Sequence, residues 1–158
     1  MDLESPGPTF AQRALEALQT PRGPLQGLAV TLNYIPYDWK QAQRLRDYLQ
    51  TLNFDKAVVV VSSEGGLFDY GTDEEILTNL EILYDITPSD AVLAGTITPV
   101  GGPGRIFNRV NGVRIVPRTL TDFERLIGQA GWMVQESIEQ PMNHVVGMRK
   151  ISRLDVMK

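Results

Sequence analysis

The stretch Ala57–Tyr70, AVVVVSSEGGLFDY, decides the fold that this sequence predicts. Its first part, Ala57–Val61, is apolar without a polar break, a pattern typical of a strand that is covered on both faces. Small, acidic and glycine residues then end the strand. In open α/β sheets, ligands bind just beyond the carboxyl ends of such strands. We therefore expect a central strand at Ala57–Val61, with functional residues directly after it.

Length and composition exclude several classes of protein. A chain of 158 residues suits a single domain, 1–158, and its net charge of −4 gives no basic surface for nucleic acid. No apolar run approaches membrane-spanning length and MDLESPGPTF does not look like a secretory signal, so we expect no membrane partner and a cytoplasmic location. The absence of cysteine and the single histidine exclude thiolate and histidine-rich metal sites, and no metal is expected.

Helix and strand patterns alternate along the chain. Strands are predicted at 28–35, 57–61, 91–98, 132–138 and about 145–151, and helices at 9–19, 39–52, 72–87 and 122–130. This alternation predicts an α/β fold with a mostly parallel sheet. The last two strands are joined by a connection too short for a parallel crossover, so they must pair antiparallel. A long segment, 99–118, contains the Asn111–Gly112 signal of a tight hairpin.

Three segments resemble class I S-adenosylmethionine-dependent methyltransferases. VVVVSSEGGLFDY resembles the family's fourth strand and the loop after it, and DITPSDAVLAGTITP resembles the fifth strand. FERLIGQAGWMVQESIEQPMNHVVGMRK resembles the last helix and the terminal hairpin. The resemblance covers about 28–151. It implies a Rossmann-like, doubly wound and mostly parallel sheet that ends in an antiparallel hairpin, with the amino-terminal part incomplete.

The family's glycine-rich cofactor loop is not found in this sequence. In the family this loop follows the first strand, where the backbone must pass close to the ligand. Here Gly101–Gly104 follows the wrong strand and precedes no immediate helix. The resemblance implies that the chain begins near the end of the second strand and lacks the first strand, the loop and the first helix. We expect this chain alone to bind S-adenosylmethionine weakly or not at all.

The resemblance assigns five cofactor-binding residues. Asp2 stands where the family has an acid that holds the ribose hydroxyls, and Asp38 and Trp39 stand where it contacts adenine. Ser62 and Ser63 follow the strand edge near the transferred methyl group. Four of these five residues have a simpler alternative. Asp38 can cap the next helix, Trp39 can only pack, and the two serines can merely end the strand.

Substrate binding is assigned to Glu64, Phe68, Tyr70 and Arg118, at or over the same edge. The alternative for Glu64 is a solvated loop acid. Phe68 and Tyr70 could instead belong to the core, and Arg118 could be a solvated arginine. No catalytic residue can be assigned, although Glu64 and His144 are candidates, because an acid and a histidine at this edge suit proton transfer. A lone loop histidine often has no catalytic task. The acidic run 73–75 is expected to complement the helix dipole rather than to bind a metal.

Two functions from different classes remain open. The first is a methyltransferase, or the carboxyl-terminal portion of one, that acts on a small-molecule or unknown acceptor when its cofactor site is complete. The insertion 106–116 would then set the choice of acceptor. The second is a non-catalytic methyltransferase-like module that acts through a homodimer or a partner protein, because a missing sheet half exposes a strand edge. A flavodoxin-like receiver is a weaker alternative, since its phosphate signatures do not occur in this sequence.

Overall fold

The computed structural model describes residues 7–63, 66–101 and 114–151. Asp2, Glu64, the Asn111–Gly112 turn and most of the insertion 106–116 lie outside these ranges. The chain divides into two compact units, Met1–Asp38 and Trp39–Lys158.

Residues 7–38 of the first unit form one helix and an irregular segment. Helix α1, Gly7–Leu18, begins before Thr9, so Thr9 lies inside the helix rather than at its cap. A turn follows, in which the Leu25 amide donates to the Leu18 carbonyl at 3.0 Å. The strand predicted at 28–35 is wrong for this structure, since its backbone forms no ladder there and Leu28 is 58% exposed. Strand propensity alone does not make a strand, because it reflects packing on a paired, half-buried surface.

The described part of the second unit contributes further helices. Trp39–Gln41 forms a 3₁₀ helix, and it is followed by α2 (Gln43–Leu49), α3 (Leu67–Tyr70), α4 (Asp73–Ile86) and α5 (Leu120–Gln129). The start of α4 is a capping box, in which Thr72 and Glu75 satisfy each other's backbone amides. Thr119 caps α5 by accepting from the Asp122 amide. None of the described helices is long and apolar enough to span a membrane.

The sheet of the second unit is mixed. Its strands are β1 (Val60–Ser63), β2 (Val92–Ile97), β3 (Trp132–Glu139) and β4 (His144–Lys150), in the order β1-β2-β4-β3. β1 pairs with β2 in parallel, whereas β4 is antiparallel to both β2 and β3. The terminal antiparallel hairpin is therefore confirmed. The described sheet is not mostly parallel, because the hairpin supplies two of its four strands.

The valine run forms an edge strand rather than a central one. β1 starts at Val60 and pairs only with β2 among the described strands. Val58 is 90% exposed and Val60 is 67% exposed. The prediction of a doubly covered central strand is wrong for this structure, because the described part of the chain places no further strand beside β1.

The core lies on one face of this sheet. Alternate residues of β2 are buried there, and they pack with α4, α5 and the hairpin in one cluster that includes Phe68, Leu80, Leu93, Phe123, Trp132 and Met148. The opposite face carries Val60, Val92 and Ile138, which are 67%, 42% and 59% exposed. The doubly wound arrangement is thus not seen in the second unit, where the described helices pack on one face.

The hairpin is fixed to α4 by polar contacts. The Trp132 indole Nε1 donates to the Leu80 carbonyl at 3.0 Å, inside the core. The Lys150 ammonium donates to the carbonyls of Tyr84 and Thr87 at 2.7 and 2.5 Å. A cation at this position also complements the negative end of the helix dipole. Gly131, at φ 81°, makes the turn from α5 into β3 where a Cβ would lie 2.5 Å from the Tyr84 ring.

Substituting Gly95 by alanine tests the packing of β1, β2 and α3. A Cβ at Gly95 would lie 2.5 Å from the Phe68 ring and 2.9 Å from the Ser63 carbonyl oxygen. We expect Gly95→Ala to lower the free energy of unfolding by about 1–3 kcal/mol, measured by urea denaturation.

Gly128→Ala is the matched control. Gly128 lies in α5 and a Cβ there meets nothing within 4 Å, so alanine should raise the stability by about 0.5–1 kcal/mol. Equal effects of the two substitutions would contradict the packing described for Gly95.

Candidate functional site

The ends of three strands meet at one edge of the sheet. Ser63 closes β1 opposite Gly95, and β2 continues to Ile97, which lies opposite His144 at the start of β4. Because β4 runs antiparallel to β2, His144 lies at the carboxyl ends of β1 and β2. The structure thus brings Ser62, Ser63 and His144 to the edge where α/β sheets bind ligands. Ser62 is exposed, and Ser63 and His144 are half-buried.

Asp69 is a buried carboxylate at this edge that the sequence did not single out. It lies in α3 and is 7% exposed. Its Oδ1 accepts from the Thr98 amide at 2.8 Å, just after β2, and its carbonyl accepts from the Val116 amide at 2.7 Å. The Arg118 amide donates to the Thr98 carbonyl at 3.1 Å. Asp69 and Thr98 therefore fix both the point where the chain leaves β2 and the point where it returns toward α5.

Arg118 is the second member of this buried network and is 6% exposed. Its guanidinium donates to the carbonyls of Phe68 and Gly71, each at 2.8 Å. It also forms two bonds to Asp73 Oδ1, at 3.1 and 2.8 Å, at the start of α4. These partners are all protein groups, so the side chain joins α3, α4 and the segment before α5. The prediction that Arg118 binds substrate stays a prediction that this placement does not favour.

Burial raises the pKa of the Asp69 carboxyl above its ordinary value. Hydrogen bonds from Thr98 and the positive charge of Arg118 act in the opposite direction, and the shift remains upward. These directed contacts therefore offset only part of the cost of removing the charged carboxylate from water.

The two aromatic residues predicted to line a substrate pocket are placed differently. Phe68 is 1% exposed and packs edge-on against Phe123, with ring centroids 5.0 Å apart. Its side chain belongs to the core, which was the simpler alternative. Tyr70 ends α3 and is 40% exposed, so its ring is accessible beside the edge.

Trp39 lines a cleft of about 480 Å³ between the start of α2 and the outer side of α4. Its carbonyl accepts from Asn79 Nδ2 at 2.9 Å, which holds it against α4. Within the described ranges, its buried indole Nε1 has no hydrogen-bond partner. Asp38 is the last residue of the first unit, so nothing in the second unit's geometry assigns it a role.

Asn143 is a second buried polar group that the sequence did not single out. It precedes His144 at the carboxyl edge, and its side-chain Oδ1 is buried without a partner among the residues that the structure describes. Its carbonyl accepts from the Gln140 amide at 2.8 Å and so closes the β3–β4 turn. An orphaned acceptor at a sheet edge is a point where a ligand donor would be stabilised.

Within ranges 7–63, 66–101 and 114–151, no three histidine or acidic side chains come together. Two acids of the run 73–75 have partners within the protein. Glu75 completes the capping box of α4, and Asp73 forms an ion pair with Arg118.

The structure places the proposed cofactor-binding residues at two different sites. Trp39 lines the cleft beside α4, and none of its described lining residues belongs to β1, whereas Ser62 and Ser63 lie at the carboxyl edge of the sheet. The glycine-rich loop that the family uses is not found in the sequence, so the described residues do not form a complete cofactor site.

Substituting Arg118 by methionine tests the buried network. The carbonyls of Phe68 and Gly71 would lose their donors, so we expect the free energy of unfolding to fall by about 2–5 kcal/mol. Arg125→Met is the control, because its ion pair with Asp122 is exposed and worth about 0.5 kcal/mol or less. Losses of similar size in chemical denaturation would show that Arg118 is not a structural centre.

Asp69 predicts a specific pH dependence of stability. Since its pKa is raised in the folded state, the native chain binds more protons than the unfolded chain between the ordinary and the raised value. The contribution of Asp69 to stability therefore decreases as pH rises through this window. We expect wild type to gain stability relative to Asp69→Asn as pH falls from neutral toward the ordinary carboxyl value, measured by urea unfolding at several pH values.

Asp90→Asn, which removes an exposed carboxylate, controls for the change in net charge. A stability difference between wild type and Asp69→Asn that stays constant with pH would contradict the raised pKa.

The chain was compared with known protein families, curated protein sequences and solved structures. No family model and no curated protein sequence matches the chain. The solved structure LaPhzM is similar at 17% identity over 91% of this chain and 41% of its own, with a TM-score of 0.51. The mitomycin 7-O-methyltransferase MmcR is 15% identical over 69% of this chain and 39% of its own, with a TM-score of 0.48.

A further similar structure is NcsB1, an O-methyltransferase from neocarzinostatin biosynthesis solved with S-adenosylmethionine and 2-hydroxy-5-methyl naphthoic acid. It is 19% identical over 58% of this chain and 28% of its own, with a TM-score of 0.47. The chain spans less than half the length of each of these three structures. The described residues therefore have an α/β fold with a mixed four-stranded sheet in the second unit, and they share this fold with the matched part of LaPhzM.

Proposed function

We propose that this chain is the carboxyl-terminal portion of a single methyltransferase-like domain that transfers a methyl group from S-adenosylmethionine. The proposal rests on where the segments that resemble the family lie in the sheet. The segments that resemble the family's fourth strand, fifth strand and terminal hairpin fold into β1, β2 and β3–β4 of one sheet. Methyl transfer then requires the remaining strands and the glycine-rich loop to complete the cofactor site.

S-adenosylmethionine would supply an electrophilic methyl group on a sulfonium centre. The task of the chain is mainly to hold the acceptor in line with that methyl group, so positioning contributes most of the rate. Ser62 and Ser63 lie at the edge where an acceptor would be held. Ser63 lies opposite Gly95 of β2, and His144 of β4 lies opposite Ile97, two residues further along β2. The His144 side chain would take a proton from a hydroxyl acceptor.

The proposed acceptor is a small molecule. Tyr70, exposed beside the carboxyl edge, offers a flat apolar surface with a polar end, which suits an aromatic or amphipathic acceptor. Arg118 and Phe68 support this edge from inside the fold rather than contacting the acceptor.

A second candidate function is a non-catalytic module that acts by association. It is favoured by the exposure of β1, where Val58 and Val60 lie at a sheet edge. Among the described residues 7–38, none is buried, so the first unit also exposes apolar surface. Proteins rarely leave such surfaces uncovered.

Ligand-observed NMR with S-adenosylmethionine and its demethylated product tests the proposed function. We expect weak binding of both compounds, because Trp39 and the β1 edge form only part of the cradle. Trp39→Ala should abolish the signal, whereas Phe10→Ala, at an exposed aromatic residue of the first unit, should leave it unchanged. Absence of any binding by a folded wild-type chain would contradict the expected partial cofactor site in this chain.

A further inference from the structure

Asn79 is a polar residue buried in the middle of helix α4. It is 1% exposed, and its helix neighbours Ile76 and Leu80 belong to the apolar core. Asparagine is a weak helix former, and a buried amide costs free energy unless it is hydrogen-bonded. A leucine at this position would avoid both costs. The contacts of the amide therefore indicate why an asparagine stands here.

The side-chain amide of Asn79 joins two distant parts of the chain. Its Nδ2 donates to the Glu75 carbonyl at 2.7 Å, within α4, and to the Trp39 carbonyl at 2.9 Å. Trp39 lies 40 positions earlier in the sequence and begins the 3₁₀ helix Trp39–Gln41. The second hydrogen bond therefore fixes the start of this short helix against the middle of α4.

The position of Trp39 depends on this contact at its carbonyl. Among the residues that the structure describes, the indole Nε1 has no hydrogen-bond partner, so no hydrogen bond from the ring itself sets its orientation. Trp39 lines the cleft beside α4 together with Lys40 and Gln41. Loss of the bond from Asn79 would leave Trp39 free to move at the wall of this cleft.

We propose that Asn79 is a positioning residue that holds Trp39 for cofactor binding. It acts through the Trp39 carbonyl and does not itself contact the cofactor. This role rests on the proposed function, in which Trp39 contributes to the binding of S-adenosylmethionine. A residue that already holds its bound position loses less conformational entropy when the ligand arrives, so fixing Trp39 raises the affinity.

Two substitutions separate the two hydrogen bonds of Asn79. Asn79→Ser keeps a donor for the Glu75 carbonyl, because a serine hydroxyl in a helix can donate to the carbonyl four residues earlier. Its shorter side chain loses the bond to Trp39. Asn79→Leu has a similar size and loses both bonds.

Thr87→Val is the matched control. It removes a buried hydroxyl at the other end of α4, where Thr87 Oγ1 donates to the Leu83 carbonyl at 2.6 Å. It therefore removes a buried hydrogen bond of the same helix without touching Trp39. Circular dichroism checks that all three variants fold.

Two-dimensional NMR first reports the position of Trp39 in the free chain. The sequence has two tryptophans, and Trp39→Phe assigns their indole signals. We expect both Asn79 variants to shift the Trp39 signal and Thr87→Val to leave it unchanged. An unmoved Trp39 signal in both Asn79 variants would overturn the proposal.

Titration with S-adenosylhomocysteine then tests the consequence for binding. We expect the dissociation constant of Asn79→Ser to be about tenfold weaker than that of wild type, the size expected for one lost hydrogen bond. Thr87→Val should bind within about twofold of wild type, because it changes stability and not the cleft.

Three results of the titration would overturn the proposal. Equal affinities of wild type and Asn79→Ser would show that the bond to Trp39 does not matter for binding. An equal loss in Thr87→Val would show that the affinity follows the stability of α4. If the folded wild-type chain does not bind S-adenosylhomocysteine at all, the proposed partial cofactor site fails, and the role of Asn79 fails with it.

Discussion

The buried guanidinium of Arg118 is the contact on which the carboxyl edge of the sheet depends. It binds carbonyls of α3 and the α3–α4 turn and the first acid of α4, and its own amide bonds to Thr98 after β2. Asp69 completes the arrangement from the other side by accepting from Thr98 and Val116. These hydrogen bonds thereby join three parts of the chain: α3, which follows β1; Thr98, which follows β2; and the segment before α5. A site assembled from strand ends is only as well defined as this support.

The apolar packing that accompanies this network is one-sided. Helices α4 and α5 cover one face of the sheet, and Phe68 fills the space left by Gly95 beneath β1 and β2. The other face and the β1 edge remain exposed in the described chain. An α/β sheet of this kind normally has both faces covered. This physical imbalance links the two candidate functions, because either a longer methyltransferase domain or an associating copy would cover the same surface.

Local sequence patterns predicted much of the fold. The hairpin of β3 and β4, strand β2 and the capped helix α4 follow from periodicity, a capping residue and connection length. Helix α5 lies near its predicted range, but it begins at Leu120 with Thr119 as its cap, two residues before the predicted start at 122. The prediction from the valine run was wrong because its composition suits a strand that is covered on both faces. Whether a strand is covered depends on neighbouring elements, and these cannot be identified from a local sequence pattern. The same limit applies to 28–35, whose strand propensity is not matched by a ladder. Asp69, Thr98, Asn143 and the buried position of Arg118 depend on segments far apart in sequence, so no local pattern could have identified them.

The carboxyl edge of this sheet is where we propose that a methyltransferase-like ligand binds. The most direct measurement is to map the binding of S-adenosylhomocysteine on the isotope-labelled chain by two-dimensional NMR. We expect chemical-shift changes at the Trp39 indole and at Ser63 and His144. Shift changes confined to the opposite end of the sheet, around Lys150, or spread without pattern over the exposed surface, would contradict it.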